Sequence, residues 1–302
     1  MQGILIVNKP RGMTSHDVVS RIRRLFGTRQ VGHTGTLDPD AEGVLPILIG
    51  RATKLSDILT AETKRYKARV RLGIETDTYD ASGTVIKTVE PKVSREEIIL
   101  TAERFLGKQN QIPPMYSAIK QGGKKLYELA RKGVEIERPA REITIYSLTC
   151  EEFNSDLSSF SMTVECSKGT YIRSLCHDLG KALGCGAHME GLVRTASGSF
   201  TLENAYTLEE IAECIENETA ENLLISICDA LSAYPEIVVS EENAQKIRNG
   251  LRLRSEQLTK DNLPEGMWVR FSDASGLLCL SSVMRDESGT LVFKIEKTFY
   301  SV

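Results

Sequence analysis

The densest run of residues capable of chemistry is Gly32-His33-Thr34-Gly35-Thr36-Leu37-Asp38-Pro39-Asp40-Ala41-Glu42-Gly43. Its glycines and proline predict an irregular loop, the kind of segment on which functional side chains sit. Taken alone, an aspartate before a proline is the ordinary sign of a turn. Asp38-Pro39-Asp40 also has the D-x-D spacing of magnesium-dependent phosphatases that form an aspartyl-phosphate. Those enzymes place the pair directly after an apolar strand, whereas Thr34-Gly35-Thr36 precedes it here. The cysteines (Cys150, Cys166, Cys176, Cys185, Cys214, Cys228 and Cys279) are scattered without a C-x-x-C pair. They signal neither a zinc site nor a thioredoxin-like motif and read as reduced thiols. With no Walker A loop, Rossmann fingerprint or metal-ligand cluster, no cofactor or metal is expected.

Around that loop, further stretches carry a resemblance. GHTGTLDPDAEGVLPILIGRATKL resembles the hallmark motif of TruB-type tRNA pseudouridine synthases. NKPRGMTSHDVV resembles the family's first motif, KRYKARVRLGIETDTYDASG its tyrosine-bearing motif and CSKGTYIRSLCHDLG its Tyr-x-Arg motif. GAHMEGLVRTASGSF resembles the leucine-bearing segment near the end of the catalytic domain. The five occur in the family's order and span most of residues 3–200.

The resemblance implies an isomerase that converts the T-loop uridine of tRNA, position 55, to pseudouridine. Asp38 would be the nucleophile that engages the sugar carbon while the base turns. Arg173 would be its cationic partner, favouring the charged carboxylate and fixing its direction. Tyr66 would stack on the uracil and take part in proton transfer. Tyr171 would close the pocket and Leu192 would press on the flipped base. The target must be extruded from a folded arm at a cost of a few kcal/mol; His33 would enter the space left behind. Lys9, grouped with the substrate-binding residues, and Pro10 would brace the active-site loops. The alternative on the same fold is a tRNA-binding and folding protein without catalysis. Loss of Asp38, Tyr66 or Arg173 would mark it, and all three are present.

A net charge of −3 argues against nucleic acid, but its distribution does not. Residues 1–35 carry Lys9, Arg11, Arg21, Arg23, Arg24 and Arg29 against Asp17 alone, while the acidic balance sits in 202–229. Residues 115–141 are also basic. The resemblance makes this part of an RNA-gripping insertion, about 108–142, whose Lys124, Lys125, Arg131 and Lys132 would hold T-arm phosphates without reading sequence. The expected partner is tRNA, with no protein partner, a monomeric state and no membrane. No window approaches the roughly 18 apolar residues of a span, and the N-terminus lacks a signal pattern, so a cytoplasmic protein is expected.

The elements that must position these residues are partly legible. Residues 3–7 read as a buried strand, 8–12 as a turn, and Ser15 as the cap of a helix over about 16–26. Residues 31–43 read as loop, and 44–50 as a strand or a helix start. Tyr66, Ala68, Val70 and Leu72 alternate with Lys67, Arg69 and Arg71, as do Phe160, Met162, Val164 and Cys166 with their neighbours, predicting half-buried strands. Helices are expected at 95–106, about 124–131, from 172 to near Gly184, and at 241–249 behind Ser240. Short strands follow at 267–271, 277–283 and 291–299. The order of elements predicts an α+β fold with a mixed, largely antiparallel sheet flanked by helices. Residues 1–234 would be the catalytic domain and 235–302 a small domain, which the resemblance makes PUA-like and RNA-binding.

Overall fold

The computed structural model describes residues 1–117, 119–251, 253–254, 258 and 263–300; of Lys120, Lys125 and Arg254 only the backbone is described. A ten-stranded sheet forms the body. Its main path runs Leu224–Ile225, Gly3–Lys9, Glu42–Ile49, Ala187–Ser197, Lys64–Leu72, Ser159–Cys166, Arg141–Glu151, Gly107–Gln111. Val31–His33 pairs beside Glu42–Ile49, and Phe200–Thr201 beside Ala187–Ser197. All pairings are antiparallel except one: Glu42–Ile49 runs parallel to Ala187–Ser197 through Val193 opposite Glu42 and Arg194 opposite Gly43. The mixed, largely antiparallel sheet expected from the order of elements is therefore present.

The strands Gly3–Lys9 and Glu42–Ile49 are buried on both faces, which is why they read as continuous apolar runs. Ile4, Ile6, Val44 and Leu48 feed one core; Leu5, Val7, Leu45, Ile47 and Ile49 feed another against the helix Ser15–Leu25. Lys64–Leu72 alternates instead. Tyr66, Ala68, Val70 and Leu72 enter a third core beneath the helices Arg95–Glu103 and Ile172–Ala182, while Lys67 and Arg69 pair outside with Glu152 and Glu190. A five-stranded sheet follows, in the order Glu236–Val238, Trp268–Asp273, Gly276–Arg285, Leu291–Thr298, Leu253–Arg254, with the helix Glu241–Arg248 capped by Ser240. It docks on the body through Leu280, Phe299 and Trp268 in the Ile4 core, and through Lys297 against Asp57 at 2.8 Å.

Several local expectations are corrected. Thr14, not Ser15, caps the first helix, in a capping box with Asp17. Ser15 is buried and serves the loop described below. Asn8 and Lys9 extend the first strand rather than opening a turn. Val31–His33 is strand because it pairs along the free side of residues 47–49, and Glu42 and Gly43 are strand because they lie between Lys9 on one side and Val193 and Arg194 on the other. Residues 44–50 resolve as strand up to Ile49. The segment 108–142 is an excursion only in its middle: Gly107–Gln111 and Arg141–Glu151 pair with each other at the sheet edge. The short helix within it covers Leu126–Ala130.

Gly43 marks the tightest approach. Its φ is +101°, and a Cβ there would overlap the carbonyl oxygen of Arg194 across the parallel contact. Gly43→Ala should therefore lower unfolding stability by roughly 2–3 kcal/mol through strain and overpacking. Denaturant titration checks it; an unchanged midpoint would mean that the two strands separate freely.

Candidate active site

The Asp38 loop is clamped on both sides of the aspartate. Lys9 is completely buried, and its ammonium donates to the carbonyls of Pro10 at 2.9 Å, Met13 at 2.6 Å and Pro39 at 3.1 Å. All three N–H groups are thereby used, which lets a lysine be buried at all. Burial lowers its pKa, while Glu42, Asp40 and Asp38 work to hold its charge. The structure thus places Lys9 under the loop, away from any surface an RNA could reach. On the other side, the Ser15 hydroxyl accepts from the Leu37 amide at 2.9 Å and donates to the Leu37 carbonyl at 3.2 Å. From behind, Arg194 donates to Val44 O at 2.6 Å and Gly35 O at 3.0 Å.

Asp38 faces Arg173, whose Nε lies 2.9 Å from Oδ2. Arg173 stands in the first turn of Ile172–Ala182, where a cation opposes the helix dipole. Its surroundings offset that. Asp80 lies 3.5 Å from Nη1, and the guanidinium also donates to Thr78 O at 3.3 Å and Tyr116 O at 2.8 Å. Between Thr78 and Asp80, Tyr79 takes a left-handed backbone (φ 65°) and stacks on His177 at 4.0 Å, one turn beyond Arg173. That strained residue turns the Thr78 carbonyl and the Asp80 side chain towards one guanidinium. Asp80 is itself fixed by Thr78 and Ser82, which donate to its Oδ1.

Asp38 floors a cleft with two lobes. One, of about 460 Å³, is lined by Tyr66, Tyr171, Leu192, Ser117, Lys64 and Arg194 among others. The other, of about 640 Å³, is lined by His33, Asp80, Tyr116, Tyr127, Arg131 and Leu192 among others. Both share Asp38, Arg173 and Leu192. The Tyr66 phenol lies opposite Arg194 across the strands; burial raises its pKa, and Arg194 opposes the rise. Tyr171 precedes the helix, and Gln111 holds its backbone from both ends: Oε1 accepts from the Tyr171 amide at 2.8 Å, and Nε2 donates to its carbonyl at 3.0 Å. Burial raises the Tyr171 phenol, and the Ser117 hydroxyl counters it. His33 has a pKa lowered chiefly by burial, so its imidazole is neutral at pH 7, and its Nδ1 has no partner among the described residues.

The structure therefore brings together Asp38, Tyr66, Arg173, Tyr171, Leu192 and His33 from four segments: Val31–His33 with the loop after it, the strand Lys64–Leu72, the start of the helix Ile172–Ala182 and the strand Ala187–Ser197. Arg131 reaches the rim of the larger lobe, with its guanidinium 5.4 Å from the Tyr127 ring. Lys124 and Lys132 are exposed on the excursion, while the side chain of Lys125 lies outside the described residues. Sequence reasoning took Ser15 only for a helix cap and did not single out Asp80, Gln111, Ser117, Lys64 or Arg194. Asp80, Lys64 and Arg194 lie inside the quoted motifs; for Lys64 and Arg194 an ionisable residue on an apolar strand face was the available signal, and for Asp80, in a turn, there was none. Gln111 and Ser117 gave none. Among the described residues, no group of three or more His, Cys, Asp or Glu could hold a metal ion.

Asp38 carries the electrostatic tension of the site. Protein encloses it on most sides, yet 41% of its side-chain surface stays open, as on a cleft floor. Burial raises its pKa above 3.8; Arg173 pulls it down, and the like charge of Asp80 pushes it up. The cleft thus offers an oriented, poorly solvated carboxylate beside aromatic and apolar walls. Such a group can attack an electron-poor carbon or stabilise a developing cation.

Residues 23–172 match the family model described as TruB family pseudouridylate synthase (N terminal domain), and residues 173–233 that of the tRNA pseudouridylate synthase B C-terminal domain. The junction of the two matches falls inside the helix Ile172–Ala182, so it is no break in the fold. The chain is 50% identical over 262 residues to a tRNA pseudouridine synthase B of Bacillus cytotoxicus, covering 85% of each protein. It is 48% identical over 260 residues to one of Geobacillus kaustophilus, covering 84% of this chain and 91% of that protein. Among solved structures, a chain of a Cbf5-Nop10-Gar1 complex superposes with a TM-score of 0.76 at 27% identity, over 99% of this chain and 85% of the other.

The geometry predicts the titration of Asp38. By carbon NMR of aspartate-labelled protein, Asp38 should titrate above 3.8, the value of an unperturbed carboxyl. Asp80→Asn removes the like charge, so the midpoint should move to lower pH. A midpoint that stays in place would show that Asp80 exerts no field on Asp38.

Proposed function

Because the chain belongs to the TruB family of pseudouridylate synthases, we propose that it isomerises a uridine of tRNA to pseudouridine in the cleft floored by Asp38. The substrate position is the T-loop uridine, position 55, presented by the T-arm stem-loop and flipped into the lobe lined by Tyr66 and Leu192. The observation that carries this reading is the Asp38–Arg173 pair, 2.9 Å apart, at the junction of a base-sized lobe and a wider one.

In this reading Asp38 attacks C1′, and the electron pair of the C1′–N1 bond leaves with the uracil. The ring turns, C5 attacks C1′, and the carboxylate departs with the pair of its ester bond. The proton on C5 is lost and N1 gains one, so the sum is an isomerisation. Arg173 aims the carboxylate, and the raised pKa of Tyr66 means that it enters as the neutral phenol, a flat surface for the ring. The neutral His33 in the wider lobe suits a group that slides among bases rather than one that pairs with phosphate. Lys9 acts from beneath, by holding Pro39.

The unit comprising residues 1–234 would do the chemistry, with the insertion about 108–142 gripping T-arm phosphates and 235–302 adding a PUA-like RNA contact. In this reading the enzyme acts as a monomer and needs no protein partner. Among the described residues no helix is long and apolar enough to cross a membrane, and we place the enzyme in the cytoplasm with its substrate.

Tritium release from a tRNA transcript labelled at C5 of uridine tests the reaction. Wild-type protein should release it, and Asp38→Asn should not, while binding tRNA within a few-fold. Tight binding without release by the wild type would favour a folding role instead. Neutralising Lys124, Lys125, Arg131 and Lys132 together should weaken binding and reduce the salt slope by about 0.7–0.9 for each phosphate no longer neutralised. An unaltered slope would place the RNA grip elsewhere.

A further inference from the structure

Two cations lie side by side against the smaller lobe, with no acidic partner among the described residues. Arg194 is 1% exposed and Lys64 is 5% exposed. Neither forms an ion pair with a carboxylate among the described residues; their bonds go to backbone carbonyls, Arg194 to Val44 and Gly35, Lys64 to Thr60 at 2.9 Å and Glu62 at 2.6 Å. Arg173, equally buried, is matched by Asp38 and Asp80, and Lys9 uses all three of its N–H groups on carbonyls; Lys64 does neither. An unmatched pair of buried cations is expensive unless something supplies negative charge when the site is at work.

Lys64 opens the strand Lys64–Leu72 two residues before Tyr66, and strand alternation puts both on the inward face with Ala68, Val70 and Leu72. It lines the same lobe as Tyr66, Leu192 and Asp38. Its two bonds to carbonyls occupy two of three N–H groups. This inference rests on the isomerase reading above. When the C1′–N1 bond breaks, its electron pair stays on the uracil, and the charge spreads over N1, O2 and O4. We propose that Lys64, backed by Arg194, stabilises that anion while the ring is detached and turning. The charge exists only after the bond begins to break, so such a contact speeds the step without tightening binding. The site is preorganised, because its carbonyl bonds hold the ammonium before the charge appears.

The same burial gives the proposal a signature. The pKa of Lys64 is lowered to about 8, first by desolvation, then by Arg194 on the neighbouring strand. Glu62 and Cys166 hold it up, and Lys168 in the following turn pushes it down. As pH rises through that value the ammonium is lost, so the rate should fall. A guanidinium in the same place would keep its charge.

Single-turnover tritium release tests this with wild type, Lys64→Met, Lys64→Arg and Asp38→Asn on one labelled transcript across a pH series. Lys64→Met should slow release by about 10²-fold, the scale of removing one charge-stabilising donor, with tRNA affinity within a few-fold. Lys64→Arg should recover most of the rate and lose the alkaline limb that wild type shows near pH 8. A wild-type rate in Lys64→Met would overturn the proposal. So would identical alkaline limbs in wild type and Lys64→Arg, a comparison that holds even where the Met variant fails to fold. Silence of the wild type itself would overturn the isomerase reading, and is separable because Asp38→Asn would then look no different.

Discussion

A guanidinium withdrawn from water must be matched, and the body of this protein is arranged around matching one. Arg173 is reached by Asp38, by Thr78 and Asp80, and by Tyr116, from three stretches far apart in the chain. Removing one partner of such a pair leaves a charge whose desolvation is not compensated, at a cost of several kcal/mol. The elements behind these groups are therefore constrained together. The helix must begin at Ile172, the loop must present Asp38 from between two clamps, and the backbone must fold back on itself at Tyr79. The sheet supplies the frame: its parallel contact lets Arg194 pass beneath the loop and hold Gly35 and Val44.

The two lobes of the cleft differ in electrical character. Near Asp80 the wider lobe gathers carboxylates, and their mutual repulsion helps keep Asp38 a stronger proton acceptor than a free carboxyl. A carboxylate with a raised pKa binds protons more tightly in the fold than in the unfolded chain. The fold therefore bears a cost at neutral pH that is relieved as pH falls through the raised value. Around Lys64 the narrower lobe gathers cations, at a similar cost. Both costs sit on the walls of one cleft, and the apolar cores carry them.

What the sequence made legible follows from how local each signal is. The alternation of Tyr66, Ala68, Val70 and Leu72 and the spacing of Ile172, Leu175 and Leu179 each report one element and one buried face. Asp38 and Arg173 were legible through motif resemblance, and the structure brings them into contact. Asp80 was not legible as a partner of Arg173, because nothing within its own turn says which distant cation it faces. Ser15 and Thr14 are both sound caps by residue type. Only the buried amide of Leu37, brought up by the loop, decides which hydroxyl remains at the helix end. Gln111 looks like an ordinary polar strand residue until Tyr171 is placed beside it.

Gln111 has one more implication. Its side-chain amide copies a peptide unit, giving Tyr171 the donor and acceptor that a neighbouring strand would have given. The Ser174 hydroxyl then takes the carbonyl of Ile112, and Arg173 that of Tyr116. The root of the excursion is thereby sewn to the helix Ile172–Ala182 before the basic stretch begins. Downstream of that seam the chain returns to the cleft, because Tyr127 and Arg131 line its wider lobe. A change of length there would move that wall, while the stitches up to Ser117 would still hold Tyr171 and Arg173 in place.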